Sequence, residues 1–323
     1  MTEKTKGATL APRRLTAGLE PGWYEGISAG EYHKWGLVSA SKLQKLYQKT
    51  PAHLHYYLHH RDPDIEAGEK PVGVTDSLAF GTAVHTAVLE PERFERRYFP
   101  CPEGMRLNAA KGIAEWGELR ARNPGKIGLR PDVWDACRAI SAKLWKKAGS
   151  RAVLESCGHY ETSFIAVDEE TGCAFKGRPD AVSLELGATV DLKTCVSASV
   201  DTFSLHSHKF GYFRQGALYV RGMKAVTGGA ITEHVILAVE KEPPHECVVG
   251  RVSAREIEAS AKEVSELLKL YLRCFEKNEW PGYPETMFEL ERSAYHFARA
   301  ERSEKMMFEE EDGGESWMTS QLQ

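Results

Sequence analysis

The first constraints come from what the chain lacks. Its apolar runs are short. Val235–Val239 is typical, and none approaches the roughly 20 residues that a membrane-spanning helix needs. Met1–Arg14 carries basic residues but no apolar stretch, which argues against a secretory signal. Cysteine is sparse, odd in number and widely spaced (Cys101, Cys137, Cys157, Cys173, Cys195, Cys247 and Cys274), and no C-x-x-C occurs. That pattern argues against a disulfide framework or a zinc ribbon, and free thiols in a reducing compartment are the simpler expectation. There is no internal repeat. A soluble, cytoplasmic protein with no membrane partner is expected.

An excess of basic charge is missing too. The net charge is −4. Residues 301–323 hold seven acids against two bases, so this tail carries more than the whole negative excess and the body is close to neutral. A near-neutral body can still present a basic groove on one face. With 42% hydrophobic and 27% charged residues, the chain has ample material for a sizeable core.

The patterning divides the chain. Residues 1–20 are polar and aperiodic, which predicts a flexible arm. Ser39–Tyr57 reads as two short helices, the second opened by Thr50-Pro51. Leu78–Leu89 is an apolar, small-residue helix, and Ala109–Arg122 and Pro131–Lys147 are amphipathic ones. From Tyr160 the character changes. Thr162–Val167 and Cys173–Gly177 flank a turn and predict a hairpin, and Ala181–Leu186 and Thr189–Leu192 are expected to continue its sheet. A helix over Tyr212–Val226 follows, then a hairpin from His234–Val239 and Glu246–Val252. Ser253 and Glu256 have the spacing of a capping box before a long helix. The expected architecture is α/β: a mixed central sheet flanked by helices, a helical N-terminal layer, one domain over residues 21–300, and an acidic, disordered tail over 301–323.

The chemistry is concentrated in Gly177-Arg178-Pro179-Asp180 and, ten residues on, Asp191-Leu192-Lys193-Thr194. Asp191 and Lys193 are i and i+2, so on a strand they share a face. Paired aspartates are hard oxygen ligands of the kind that hold Mg²⁺ or Mn²⁺. A lysine beside such a metal can hold a water or neutralise charge developing on a phosphoryl group. The Leu192 carbonyl is a further oxygen donor. Alone, D-x-K is common on solvated strand edges; the G-R-P-D upstream favours a site. Glu161, expected to begin the first hairpin strand, is either a third acid or an exposed strand end. Gln215 and Tyr219, i and i+4 on one helix, share a face toward a phosphate or the lysine, unless Tyr219 is simply core. His85 on its apolar helix reads as core or, with small neighbours Gly81 and Ala83, as a side chain able to reach a metal. His55 and His59 are i and i+4, but no second pair supports a zinc site.

These stretches together resemble the exonuclease VIII (RecE-type) nucleases, a RecB-like branch of the PD-(D/E)XK superfamily, over roughly Gly22–Tyr283. The likeness is carried by Trp23-Tyr24-Glu25-Gly26-Ile27-Ser28, Ser39-Ala40-Ser41-Lys42-Leu43, Thr50-Pro51-Ala52-His53, Gly81–His85, the two motif segments and Gln215–Tyr219. The resemblance implies a PD-(D/E)XK nuclease core with Mg²⁺, or Mn²⁺, held by Asp180, Asp191 and the Leu192 carbonyl. It implies His85 as ligand or near-ligand, Glu161 as the acid of the first core strand, Lys193 at the attacking water, and Arg178, Gln215 and Tyr219 on the DNA path. The implied activity is 5′-to-3′ degradation of linear duplex DNA from its ends in phage or prophage recombination, by a ring-shaped homo-oligomer, with a single-strand annealing protein as a candidate partner. An endonuclease on the same core, or a silent DNA-binding scaffold, are the alternatives. The chain lacks the four-cysteine spacing of iron–sulfur relatives.

Overall fold

The computed structural model describes residues 19–60, 71–73, 76–106 and 108–291. Most of the expected arm and all of the acidic tail therefore lie outside the described residues. The chain divides into two units, Met1–Gly282 and Tyr283–Gln323. In the second, residues 283–291 are exposed and form neither helix nor strand. No described helix is long and apolar enough to cross a membrane.

The first unit opens with β1 (Gly22–Tyr24), α1 (Ala29–Lys34), α2 (Ala40–Gln48), α3 (Pro51–His60), α4 (Ser77–Leu89), α5 (Pro91–Arg97) and β2 (Tyr98–Pro100). Next come α6 (Ala110–Arg122), β3 (Ile127–Leu129), α7 (Pro131–Lys146) and α8 (Ala148–Ser156). The strand-rich part is β4 (His159–Tyr160), β5 (Ser163–Val167), β6 (Ala174–Gly177), β7 (Ala181–Ser183) and β8 (Ala188–Cys195). It is followed by α9 (Val200–Phe210), α10 (Tyr212–Val226), β9 (Glu233–Glu240), β10 (Cys247–Arg251) and α11 (Ala254–Lys277). The helices and hairpins expected from the patterning are present, with α1, α5, α8 and α9 added to them.

The five-stranded sheet runs β10-β9-β8-β7-β4 and is mixed: β8 and β9 are parallel, the other pairs antiparallel. The hairpin β5–β6 does not continue this sheet. It pairs instead with β1 in a separate antiparallel sheet. The break falls at Arg178-Pro179-Asp180, where proline has no N–H to extend a ladder. It falls also at Glu161, which sits between β4 and β5 at φ +51° rather than opening a strand. The Glu161 N–H donates to the Asp180 carbonyl at 2.9 Å, so the two breaks face each other at one corner.

One core lies between the five-stranded sheet and α4 and α7. Val190 and Leu192 of β8 pack there with Phe80, Val84, Ile140 and Leu144. The α4 sequence is apolar on nearly every side, as a helix covered on both sides must be. A second core joins the hairpin sheet to α2, α10 and α11, around Phe164, Phe175, Leu218 and Tyr271. Close approach is built in at Gly222 of α10, where a Cβ would meet the Phe164 ring at 2.0 Å. Ser253 caps α11 by accepting from the Glu256 N–H at 3.2 Å, but the reciprocal bond of the expected box is replaced: Ser260 Oγ donates to Glu256 at 3.0 Å.

Candidate active site

β8 outruns its neighbour. β7 pairs only with residues 188–190, so the far half of β8 has β9 on one side and an open edge on the other. At that edge the Leu192 N–H donates to Asp180 Oδ2 at 2.7 Å. A residue's N–H and C=O point to the same side of a strand, so the Leu192 carbonyl also opens toward Asp180. Asp191 and Lys193 lie on the opposite pleat from Leu192 and bond each other, Nζ to Oδ2, at 2.9 Å. Asp191 is buried. Its other oxygen sits 3.5 Å from the Asp180 N–H. The two aspartates, eleven residues apart by way of a short hairpin, thus brace one another through backbone amides.

Two further groups reach this edge from distant elements. His85 arrives on α4, its Nδ1 3.3 Å from Asp180 Oδ1. Glu161 arrives from the opposing corner. His85, Glu161 and Asp180 each present a ligand atom, all within 4.8 Å of one another. Among the described residues this is the group of three that can hold a metal ion. Glu161 is itself held by Arg178, whose Nε donates to it at 2.9 Å while Nη1 donates to Ile27 O and Ser163 Oγ.

The electrostatics follow from burial and crowding. Burial and the Asp180 charge push the Glu161 carboxyl up, against the pull of Arg178. Burial also disfavours the charge of Asp180, but His85 and Lys193 outweigh it and hold the carboxyl below its usual range. Burial opposes protonation of His85, and Asp180 and Glu161 overcome it, so its pKa is raised. Lys193 is likewise raised: desolvation is outweighed by Asp191 and Asp180. Two carboxylates are packed together here with an imidazole nitrogen aimed at one of them. A divalent cation suits that donor set, because it relieves the repulsion the fold imposes.

The positions expected on the DNA path have partners within the protein. The Tyr219 hydroxyl donates to Arg178 O at 3.0 Å and accepts from Gln215 Nε2 at 3.0 Å, with Tyr219 buried against Phe164. Its hydroxyl bonds Gln215 and Arg178 rather than Lys193. The ring holds the carbonyl two residues before Asp180, because α10 packs directly on the hairpin sheet. Arg178 is occupied by Glu161 and the α1 approach. The α3 histidines have partners of their own: His53 Nδ1 bonds Thr50 Oγ1 at 2.7 Å and His60 Nδ1 bonds Tyr56 O at 3.0 Å, while the His55 and His59 rings lie 4.4 Å apart with their planes tilted by 59°. Tyr212 had no motif to mark it, yet its ring lies 5.1 Å from Lys193 Nζ. His234 is buried behind the strand, Nδ1 on Thr189 Oγ1 at 2.8 Å. Only its place opposite Thr189 in the β8–β9 register, a tertiary fact, signals it.

Residues 39–292 match the model of a family described as a PDDEXK-like domain of unknown function (DUF3799). The chain belongs to this PDDEXK-like family. No curated protein matches it in sequence. Among solved structures it is similar to a Eubacterium rectale protein described as a "putative exonuclease", with a TM-score of 0.53 and 14% identity over 84% of this chain and 96% of that one. At that identity the likeness is one of fold; with the family match and the mixed five-stranded sheet it bears out the expected α/β PD-(D/E)XK-type core. In the letters of the PDDEXK-like family's name, this chain writes Pro179-Asp180 and Asp191-Leu192-Lys193.

Proposed function

We propose that this PDDEXK-like protein is a divalent-metal-dependent DNA nuclease, and more narrowly an exonuclease that degrades linear duplex DNA 5′ to 3′. The observation that carries the reading is the gathering of His85, Glu161 and Asp180 within 4.8 Å at the open edge of the strand that presents Asp191 and Lys193. Asp180, Glu161 and His85 would hold the ion, with the Leu192 carbonyl and Asp191 on its flank. When bound, the cation supplies positive charge to the phosphoryl oxygens and lowers the pKa of a water.

The chain's own groups do the rest. Lys193, kept protonated by Asp191 and Asp180, donates hydrogen bonds toward the attacking water or the phosphate and offsets charge as it develops. Asp191 fixes that ammonium in place. Arg178 orients Glu161, and Tyr219 with Gln215 fixes the backbone that carries Asp180; these are positioning roles. Mg²⁺ suits the carboxylates, and the imidazole nitrogen makes Mn²⁺ an effective substitute. A near-neutral body holds DNA weakly by bulk attraction, which favours a closed ring of subunits around the duplex. A role in phage or prophage recombination beside an annealing protein belongs to the same reading.

The test is incubation of the purified protein with Mg²⁺ or Mn²⁺ and either linear or covalently closed circular duplex DNA, labelled at one end or the other. Loss of the linear substrate from its 5′ ends with circles intact is expected. Cutting of circles at a comparable rate would replace the exonuclease with an endonuclease, and absence of cleavage with every divalent metal would remove the nuclease reading itself. Light scattering tests the ring, and a strict monomer sinks it.

A further inference from the structure

Outward from Lys193 a run of rings leaves the acidic corner. Tyr212 lies beside the Lys193 ammonium, Phe210 follows with its centroid 5.9 Å from that of Tyr212, and His206 follows 5.9 Å from Phe210. The Tyr212 and Phe210 planes differ by 30°, and Phe203, buried, supports Tyr212 from behind at 6.2 Å. The chain makes this run with one turn. Gly211, at φ +77°, ends α9 and starts α10, so the last ring of one helix stands next to the first ring of the other. A Cβ at Gly211 would strike the Gln44 side chain at 2.0 Å, a close approach that glycine permits. Gln48 and Gln44 of α2 donate to the Lys209 carbonyl at 2.8 and 3.3 Å and pin the turn.

Phe210 is 51% exposed. A lone exposed phenylalanine calls for no explanation, but this one is joined ring to ring to the lysine of the site. Its surroundings are cationic. Lys209 lies over the Phe210 ring, Lys49 is exposed just past the end of the docked α2, and Asp201 is the single acid in α2, α9 and α10. Rings with cations beside them are the chemistry that receives unpaired bases, since every base has a π-face and every nucleotide a negative phosphate.

We propose that Phe210, Tyr212 and His206 form a stacking track for the unpaired bases of a DNA strand next to the scissile phosphate. The proposal rests on the nuclease reading and adds a substrate preference: a duplex end with a single-stranded tail binds better than a blunt one.

The experiment uses the full chain with Ca²⁺ in place of Mg²⁺ and duplexes that are either blunt or carry a short tail containing 2-aminopurine. Wild type should quench the 2-aminopurine. Phe210→Ala should lose the quench and bind the tailed duplex roughly tenfold more weakly, with the blunt duplex little changed. Phe210→Trp should restore both readouts, and Phe210→Leu, apolar but without a π-face, should not. Because the side chain is half in water, circular dichroism is expected to report an unchanged fold for each variant. Wild-type quench and affinity in Phe210→Ala or Phe210→Leu would overturn the track; if wild type still cuts DNA in Mg²⁺, the nuclease reading stands without it. A wild type that neither binds nor cuts any DNA removes both.

Discussion

Two clusters of buried charge behave in opposite ways. Asp168, at the turn of the β5–β6 hairpin, meets Arg221 of α10 at 2.7 Å. Arg221 also donates to Ala261 O and Ser265 Oγ, and Asp168 also accepts from the Thr171 N–H and hydroxyl. Every charge there has a counter-charge and hydrogen bonds, and the cluster ties hairpin, α10 and α11 together. At the β8 edge, by contrast, Glu161 and Asp180 are pressed together. Glu161 is pushed up by that crowding, and the pKa of His85 is raised by the same two carboxylates. The first arrangement is complete without a ligand. The second is one that a cation completes. Burial of charge is therefore not itself the mark of a site; burial that crowds two carboxylates against each other is.

The largest effect expected from breaking this contrast is on cleavage. Asp180→Ala, Asp191→Ala and Lys193→Ala should each slow DNA hydrolysis by on the order of a thousandfold or more, about 4 kcal/mol of activation free energy, and doubles should lose little beyond the singles because the groups act as one unit. Any one of them retaining near-normal rates in single-turnover assays would remove that residue from its role. Asp168→Ala should do the reverse. Breaking one side of its ion pair should cost about 3 kcal/mol in urea unfolding, with cleavage by the folded fraction within a few fold of wild type. If Asp168→Ala proved as stable as wild type, the structural reading of that cluster would fail.

Metal sharpens the comparison next. Saturating Mn²⁺ should raise the melting temperature of wild type, the equivalent of about 2.7 kcal/mol at a hundred times the dissociation constant, and should leave Asp180→Asn nearly unmoved. Equal shifts in both proteins would place the ion elsewhere. Tyr219→Phe removes one buried hydrogen bond to the Asp180 loop and should cost about 1 kcal/mol of stability. Through misplacement of Asp180 it should also reduce kcat more than KM on linear DNA; an effect on KM alone would return Tyr219 to the DNA path. The smallest effect is expected from deleting residues 309–323, which carry acids and no base. DNA binding should tighten modestly at low salt and converge with wild type as salt rises, which anisotropy titrations at several ionic strengths would reveal.

Much of this was legible in the chain. Apolar period marked α4, α7 and α11, turn residues marked both hairpins, and the i, i+2 spacing alone puts Asp191 and Lys193 on one face, because strand geometry is local. The Pro179-Asp180 step marked Asp180 as a candidate ligand but not the break in the sheet. What lay beyond reach depends on segments distant in sequence meeting at one point. That the hairpin leaves the main sheet is decided by two opposed breaks, at Glu161 and at Arg178-Pro179-Asp180. That His85 is a ligand candidate rather than core is decided by how α4 lies across β8. That Tyr219 holds a carbonyl, and that Phe210 and Tyr212 stand ring to ring beside Lys193, is decided by α10 packing on the hairpin and by one left-handed glycine. Sequence by itself determined which residues are candidates for the chemistry and most of the elements they ride on, since propensity and periodicity act over a few residues. Only the tertiary structure decided which of them share an edge, since that depends on the packing of whole layers.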